Sequence, residues 1–314
     1  MAIDNRQSDL LYFWIIFNLF ALGMLVLDLR VFHRHGRVRS REALARSAMW
    51  IGLAAAFAGL VFFWQGRQVA IEFITGYVLE LSLSVDNLFI FLVIFRYFAV
   101  PEEHQHRVLL WGILGAMLMR GCFILAGVGL IQRFHWIFYI LGGLLIYSGL
   151  RLGFAGEHQV DPSKNPAVKA LRRLMPVTDS YQGSNFFVRS WQGKAGPYAT
   201  PLLVVLAVIE TTDLLFAIDS IPAVLAITLN AFIVYASNVF AIMGLRSLFF
   251  AVSGLMKAFR FLHAGLALIL VLVGVKMIAA DYLKVPTLAM LGVVAAILTI
   301  SILASILIPS PERS

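Results

Sequence analysis

Long apolar segments recur along this chain, and they limit its fold more strongly than any other feature. Each segment is close to the ~20 residues that a helix needs to cross a hydrocarbon layer of ~30 Å. With 61% hydrophobic and 13% charged residues, the chain is also far more apolar than a soluble domain. The sequence therefore predicts an all-α polytopic membrane protein with about nine transmembrane helices, over residues 11–29, 47–65, 71–97, 108–131, 136–154, 199–226, 231–255, 261–281 and 286–308.

The basic residues collect in the connections between these segments rather than over a surface. By the positive-inside rule, the basic connection after the first span lies in the cytoplasm, so the N-terminus is periplasmic and alternation over nine spans makes the C-terminus cytoplasmic. A net charge of +8 arranged in this way predicts a lipid bilayer as partner and no nucleic acid, and it does not define the oligomeric state. The residues that carry this prediction are Arg30, Arg34, Arg37, Arg39, Arg41 and Arg46, against a single acid, Glu42.

The 155–198 segment is the one long polar connection, and it is too short and polar to form a domain. Its basic residues stand among Pro, Gly, Ser and Asn, which favours an ordinary solvated linker. A brief basic helix around Val168 to Leu174, attracted to anionic headgroups at the lipid surface, is the open alternative.

Two blocks of the sequence, 71–154 and 199–281, each hold three predicted spans and share landmarks in the same order. Because an odd number of spans reverses the direction of entry, the second block is predicted to be an inverted-topology repeat of the first. The corresponding landmarks are Glu80 with Asp213, Asp86 with Asp219, Arg120 with Arg246, and the run Gly149 to Arg151 with the run Gly274 to Lys276. The predicted organisation is two N-terminal helices with a basic cytoplasmic loop in 1–70, the first repeat in 71–154, a cytoplasmic linker in 155–198, the inverted repeat in 199–281, and a C-terminal helix with a short tail in 282–314.

Five carboxylates lie within the apolar spans, where insertion costs about 3 kcal/mol for a central aspartate. Their number and their placement on two related helices predict a site for a hard cation bound by oxygen, such as Mn²⁺, Mg²⁺ or Ca²⁺. The alternative is that they pair with basic residues and hold the bundle together. The predicted ligands are Glu80, Asp86, Asn87, Glu210, Asp213 and Asp219, with Ser84, Thr211 and Ser220 as additional or supporting ligands, and Arg120, Arg246, Arg151 and Lys276 as gating or charge partners.

Two of these carboxylates require a departure from ideal helix geometry if all of them are to share one site. On ideal helices, Asp86 and Asp219 each lie one position away from the stripe formed by the other polar residues. A local unwinding or kink is therefore expected at both. Pro222 supplies a cause in the second repeat, because it cannot donate to the carbonyl of Ile218.

The residues around the carboxylates resemble a known family. The motifs are Gly76 and Tyr77 followed by Glu80 to Asn87, and Glu210 to Asp213 followed by Phe216 to Pro222. They are similar to the TerC family, and to its longer Alx-like branch, from about residue 10 to residue 308. The resemblance implies a bacterial inner-membrane protein of the lysine-exporter-like superfamily, tied to manganese efflux and tellurium resistance. The family's acidic motif positions fall on the six predicted ligands, and the choice of Mn²⁺ over Ca²⁺ or Mg²⁺ comes from the resemblance alone.

These observations predict a secondary transporter, not an enzyme, that exports Mn²⁺ as its substrate from the cytoplasm by alternating access. We expect the export of the cation to be coupled to an exchange for protons, because crowded carboxylates favour neutralisation by protons or cations. One alternative is an accessory membrane protein that delivers metal or helps to insert other proteins, with the 155–198 segment as its docking surface. A weaker one is an intramembrane aspartyl protease using Asp86 and Asp219, which lacks the glycine-flanked aspartate motif of that class.

Overall fold

The computed structural model describes residues 13–27, 40–154, 165–252 and 261–307, and within these ranges the chain is mostly helical. The helices are α1 Phe13–Leu27, α2 Ser40–Gln65, α3 Arg67–Tyr97, α4 Glu102–Arg133, α5 Ile137–Phe154, α6 Pro166–Leu174, α7 Pro201–Leu225, α8 Ala231–Val252, α9 Leu262–Ile278 and α10 Thr287–Leu307. Among the described residues, six helices are long and apolar enough to cross a membrane, and they lie in α2, α3, α4, α5, α7 and α10. Shorter apolar helices lie in α1, α8 and α9. The predicted helical architecture with several spans is confirmed, and the number of nine spans remains a prediction.

The described part of the polar connection is folded, which corrects the expectation of an ordinary solvated linker. Its basic helix forms as α6, capped by Asn165, whose side chain accepts a hydrogen bond of 2.8 Å from the backbone of Ala167. A hairpin of β1 Phe187–Trp191 and β2 Lys194–Ala199 follows. Gln192 and Gly193 turn the chain with φ of 50° and 76°, the backbone of a tight two-residue hairpin turn. This hairpin departs from the predicted all-α fold.

The folded connection is anchored on the turn between α3 and α4. The Tyr181 hydroxyl donates a hydrogen bond of 2.7 Å to the carbonyl of Phe98, and burial raises the pKa of Tyr181 to about 12. The Arg107 guanidinium donates to Ser184 at 2.8 Å and lies 5.3 Å from the ring centroid of Phe186. The connection is therefore tied to the helical bundle by polar contacts as well as by apolar packing.

We call the helices of the first predicted repeat, α3 to α5, and those of the second, α7 to α9, the two halves of the bundle. Helices of one half pack on helices of the other: α3 packs on α8, α4 on α7, and α5 on α9. The α5–α9 contact is the tightest, because glycines allow the two backbones to touch. A Cβ added at Gly149 would lie 2.7 Å from the carbonyl oxygen of Ala267, and one added at Gly274 would lie 2.6 Å from that of Gly142. Each glycine would also meet one β-branched side chain at 2.8 Å, Val271 for Gly149 and Ile146 for Gly274.

These α5–α9 contacts are reciprocal. Residues 142, 146 and 149 of α5 precede residues 267, 271 and 274 of α9 by the same 125 positions as the sequence repeat. Exchanging the two helices therefore exchanges the two sets of contacts, as a two-fold relation would. These contacts agree with the predicted inverted repeat, which remains a prediction.

Candidate functional site

A buried arginine joins the two halves of the bundle at its centre. Arg120 on α4 is 1% exposed, and its guanidinium pairs with Glu80 on α3 and, at 3.1 Å, with Asp213 on α7. It also donates to Asn238 on α8 at 2.9 Å and to Ser220 on α7 at 3.2 Å. We call these five residues the Arg120 cluster.

Helix periodicity explains why these side chains meet. Asp213 and Ser220 are seven residues apart, about two turns, so they project from one face of α7. On α3, the hydroxyl of Ser84 donates to Glu80 at 3.4 Å from one turn away. On α8, the Asn238 amide nitrogen donates to the carbonyl of Val234 at 3.0 Å, which leaves its amide oxygen to accept from Arg120. Each helix thus presents an oxygen acceptor toward the same guanidinium.

The charges of the Arg120 cluster do not balance. Two carboxylates, Glu80 and Asp213, face one guanidinium, so the ionised cluster carries a net negative charge. Glu80 is fully buried, and its Oε2 atom has no hydrogen-bond partner within the described ranges. Because an unpaired buried carboxylate oxygen is costly, the cluster is electrostatically suited to a further positive charge. Apart from Arg120, the polar groups of the cluster are carboxylate, amide and hydroxyl oxygens, which are the donors that hard divalent cations prefer.

The other described carboxylates lie elsewhere along α7. Asp219 accepts a hydrogen bond of 2.6 Å from Ser148 on α5, and the half-buried Glu210 lies beside Gly115 on α4. The hydroxyl of Thr211, the residue that follows Glu210 in the sequence, accepts a hydrogen bond of 3.0 Å from the amide of Asn165. In the part of the chain that the structure describes, no group of three or more His, Cys, Asp or Glu side chains is placed to hold a metal ion.

The continuity of the helices explains this separation. The expected unwinding does not occur, because α3 and α7 run unbroken past their carboxylates and α7 continues through Pro222. At about 100° per residue, Asp219 then projects about 120° away from Asp213, toward α5. The predicted single site is therefore divided in this conformation into the Arg120 cluster, the Glu210 position and the Asp219 position.

The other predicted ligands and charge partners lie outside the Arg120 cluster or outside the described side chains. Asn87 is buried, whereas the side chains of Asp86 and Arg246 lie outside the described parts of the structure. Arg151 is exposed, and the Lys276 ammonium donates to the carbonyl of Ala226 at 3.1 Å, at the end of α7. Of the predicted charge partners whose side chains are described, Arg120 is the one that forms ion pairs within 4.0 Å of the predicted carboxylates. Because Arg120 is buried, its charge does not extend to the lipid interface.

Sequence reasoning did not select Asn238 as a site residue. It is fully buried within the apolar helix α8, and it bonds directly to Arg120. A polar amide inside a predicted span is costly and is commonly functional. The position of Asn238 within an apolar segment could therefore have identified it as a site residue. Gly115 was missed as well, and the sequence around it has no feature that distinguishes it from the other glycines of α4.

A bundle of apolar helices that buries an arginine between carboxylates of two different helices defines a polytopic membrane protein with an ionisable centre. The integral membrane protein TerC family matches residues 65–313, and the chain belongs to that family. The resemblance seen in the motifs is confirmed.

Relatives match over nearly the whole length. The chain is similar to the membrane protein STKORF319 of Myxococcus xanthus, with 44% identity covering 94% of this chain and 92% of the relative. It is also similar to Alx of Salmonella typhi, at 42% identity over 92% of each chain, and to Alx of Escherichia coli K12, at 41% over 88% and 89%. Both Alx proteins are named, provisionally, as membrane-bound redox modulators. No solved structure matches the chain.

Proposed function

We propose that this protein exports a divalent metal cation, with Mn²⁺ as the principal substrate, from the cytoplasm across the bacterial inner membrane. The observation that carries the proposal is the Arg120 cluster, in which two buried carboxylates share one guanidinium and the Oε2 atom of Glu80 has no donor among the described residues. The orientation that accompanies the proposal is a periplasmic N-terminus and a cytoplasmic C-terminus, as the positive-inside rule predicts.

In this proposal, Arg120 acts as a tethered cation that occupies the carboxylates when no substrate is present. A divalent cation entering the cluster neutralises Glu80 and Asp213 together, and the guanidinium moves away from at least one of them. Return of Arg120 to both carboxylates then favours release of the cation. The oxygens of Ser84, Ser220 and other predicted ligands complete the set that a hard cation requires.

Alternating access between the two halves supplies the movement. The contacts across the Arg120 cluster join α3 and α7 of the two halves through α4, so breaking them frees the halves to shift. The reciprocal α5–α9 contacts are consistent with a two-fold related pair about which the halves rock. Counter-transport of protons accompanies the export in this proposal, because the same carboxylates need neutralisation when the cation has left.

The test is uptake of radioactive Mn²⁺ into inverted membrane vesicles. Glu80→Gln and Asp213→Asn should each lower the initial uptake rate by about 10-fold to 100-fold, since hydrogen bonds to charged groups contribute about 1.5–3 kcal/mol. The matched control is Asp179→Asn, which removes an exposed carboxylate of the folded connection and should leave uptake unchanged. Wild-type uptake in both cluster variants, at equal membrane levels, would remove the Arg120 cluster from the transport path.

The name of the Alx relatives raises a redox role as a second function. The 314 residues contain one cysteine, Cys122, so a thiol–disulfide pair cannot form within one copy of this sequence. A redox effect of this chain would then be indirect, through the supply of a metal that redox enzymes use. Metal export and a redox phenotype are compatible on this basis.

The docked connection favours the accessory alternative more directly. Its fold places α6 and β2 against α7 and bonds Tyr181 and Ser184, which lie between them, to Phe98 and Arg107, so a folded surface is presented that another protein could bind. Combined Arg107→Ala and Tyr181→Phe substitutions would loosen this docking without touching the Arg120 cluster. Normal Mn²⁺ uptake with loss of the cellular metal-tolerance phenotype would favour an accessory role, whereas parallel loss of both would favour transport alone.

A further inference from the structure

The carboxylate of Glu210 rests directly on the backbone of the neighbouring helix. A Cβ added at Gly115 of α4 would lie 2.5 Å from both the Cδ and the Oε2 atoms of Glu210, and closer still to Oε1. The whole carboxylate group therefore occupies the space that any side chain at position 115 would need. We call this arrangement the Glu210 seat.

The other glycines of α4 differ from Gly115 in what they face. A Cβ at Gly112 would make an ordinary contact of 3.4 Å with Ile209, and one at Gly129 would meet no atom within 4 Å. Gly121 and Gly127 face apolar or aromatic side chains at 3.2 and 3.0 Å. Among these positions, Gly115 alone faces a carboxylate.

The position of Glu210 places it next to the Arg120 cluster but outside it. Along α7, Glu210 precedes Asp213 by three residues, a rise of about 4.5 Å. It is half-buried, whereas Glu80 and Arg120 are buried. Its other neighbour, Thr211, is bonded to Asn165 at the start of α6. Glu210 thus stands between the folded connection and the central cluster.

The corresponding position in the other half is different. Tyr77 precedes Glu210 by the repeat offset of 133 residues, and Ala241 follows Gly115 by the offset of 126. Tyr77 is 8% exposed and Ala241 is fully buried. One half therefore has a carboxylate above a glycine, where the other half has a buried aromatic ring and a methyl group. The Glu210 seat is a feature of one half.

We infer that Gly115 is a positioning residue that seats the Glu210 carboxylate as the first ligand met by a divalent cation on its way to the Arg120 cluster. This inference rests on the proposed transport function. A carboxylate held against a helix backbone, beside the cluster and partly accessible, can take a cation while Arg120 still occupies Glu80 and Asp213. Gly115 acts through Glu210 and does not itself bind the cation.

Substitution of Gly115 by alanine tests the seat. To reach an ordinary contact of 3.4 Å, the Cδ and Oε2 atoms must retreat by about 0.9 Å and Oε1 by more, and the flexible end of a glutamate side chain can do so without unfolding the protein. Since a displaced carboxylate loses a charge-assisted contact with the cation, Gly115→Ala should raise the KM for Mn²⁺ by about 10-fold or more. The thermal unfolding temperature should stay close to that of the wild type. Gly129→Ala, on the same helix and facing no atom within 4 Å, is the matched control: it should leave the KM unchanged, and its unfolding temperature gives the contribution of helix propensity alone.

A double-mutant cycle separates positioning from a merely structural effect. Glu210→Asp shortens the side chain, so that the carboxylate no longer reaches α4. In that background, Gly115→Ala should cost less than about twofold in KM, because the two changes act on the same contact. An equal cost in both backgrounds, or wild-type KM in Gly115→Ala, would overturn the inference. The proposed function fails separately, if Glu80→Gln and Asp213→Asn keep wild-type uptake.

Discussion

Replacement of Arg120 by methionine should destabilise the folded protein by about 3–5 kcal/mol, the cost of removing one partner from a buried ion pair. Arg120 is 1% exposed, and without it Glu80 and Asp213 would face each other with no opposing charge. Asn238 and Ser220 would also lose their common donor. We expect a large fall in the thermal unfolding temperature of the purified protein in detergent, and a lower level in the membrane.

A charge-neutral triple variant tests the cause of this loss. Arg120→Met combined with Glu80→Gln and Asp213→Asn leaves no unpaired charge in the cluster, so it should recover most of the lost stability. Arg133→Met, an exposed arginine at the end of the same helix, is the control and should have little effect. The interpretation is wrong if Arg120→Met unfolds at the wild-type temperature, or if the triple variant is no more stable than the single one.

Substitution of the glycines between α5 and α9 should also lower the stability of the folded protein strongly. Gly149→Ala and Gly274→Ala would each place a methyl group 2.6–2.7 Å from a backbone carbonyl oxygen of the facing helix. A backbone cannot move aside as a side chain can, so the two helices must separate along their contact. We expect each variant to lose about 2–3 kcal/mol of stability, at the upper end of the usual cost of overpacking, and to lose transport with it.

The adjacent glycines of α5 provide a matched comparison. Gly142 faces the backbone of Gly274, whereas a Cβ at Gly143 would meet no atom within 4 Å. Gly143→Ala should therefore be neutral, or stabilising by up to about 1 kcal/mol through the better helix propensity of alanine. The thermal unfolding temperatures of Gly142→Ala and Gly143→Ala, measured side by side, separate the cost of the steric contact with α9 from the gain in helix propensity. Similar unfolding temperatures for the two variants would mean that α5 and α9 do not pack as closely as the structure describes.

Much of the site could be read from the sequence because charged residues inside apolar spans are costly and therefore conspicuous. Glu80, Asp213 and Arg120 are recognisable on that ground, Ser220 is predicted for its hydroxyl on the same helix face, and the structure brings the four together. The spacing of seven residues between Asp213 and Ser220 correctly placed both on one face of α7.

The division of the carboxylates could not be predicted in the same way. Spacing defines the direction of a side chain relative to its own helix, but it does not identify the helix that it faces. The expected unwinding would have turned Asp219 toward Asp213, and the unbroken helix turns it to Ser148 instead. Nothing in the local sequence indicates that α5 lies on that side of α7.

A multi-span helical membrane protein with ionisable residues inside its spans could be recognised from the amino-acid sequence. Hydrophobic length and the cost of buried charge are local properties, and they can be read from one segment at a time. The three-dimensional arrangement was needed to show that Arg120 links two carboxylates of different helices, that Asn238 joins them, and that Gly115 makes room for Glu210. These are contacts between helices distant in the sequence, and they depend on how closely and at what rotation the helices pack, which no single segment encodes.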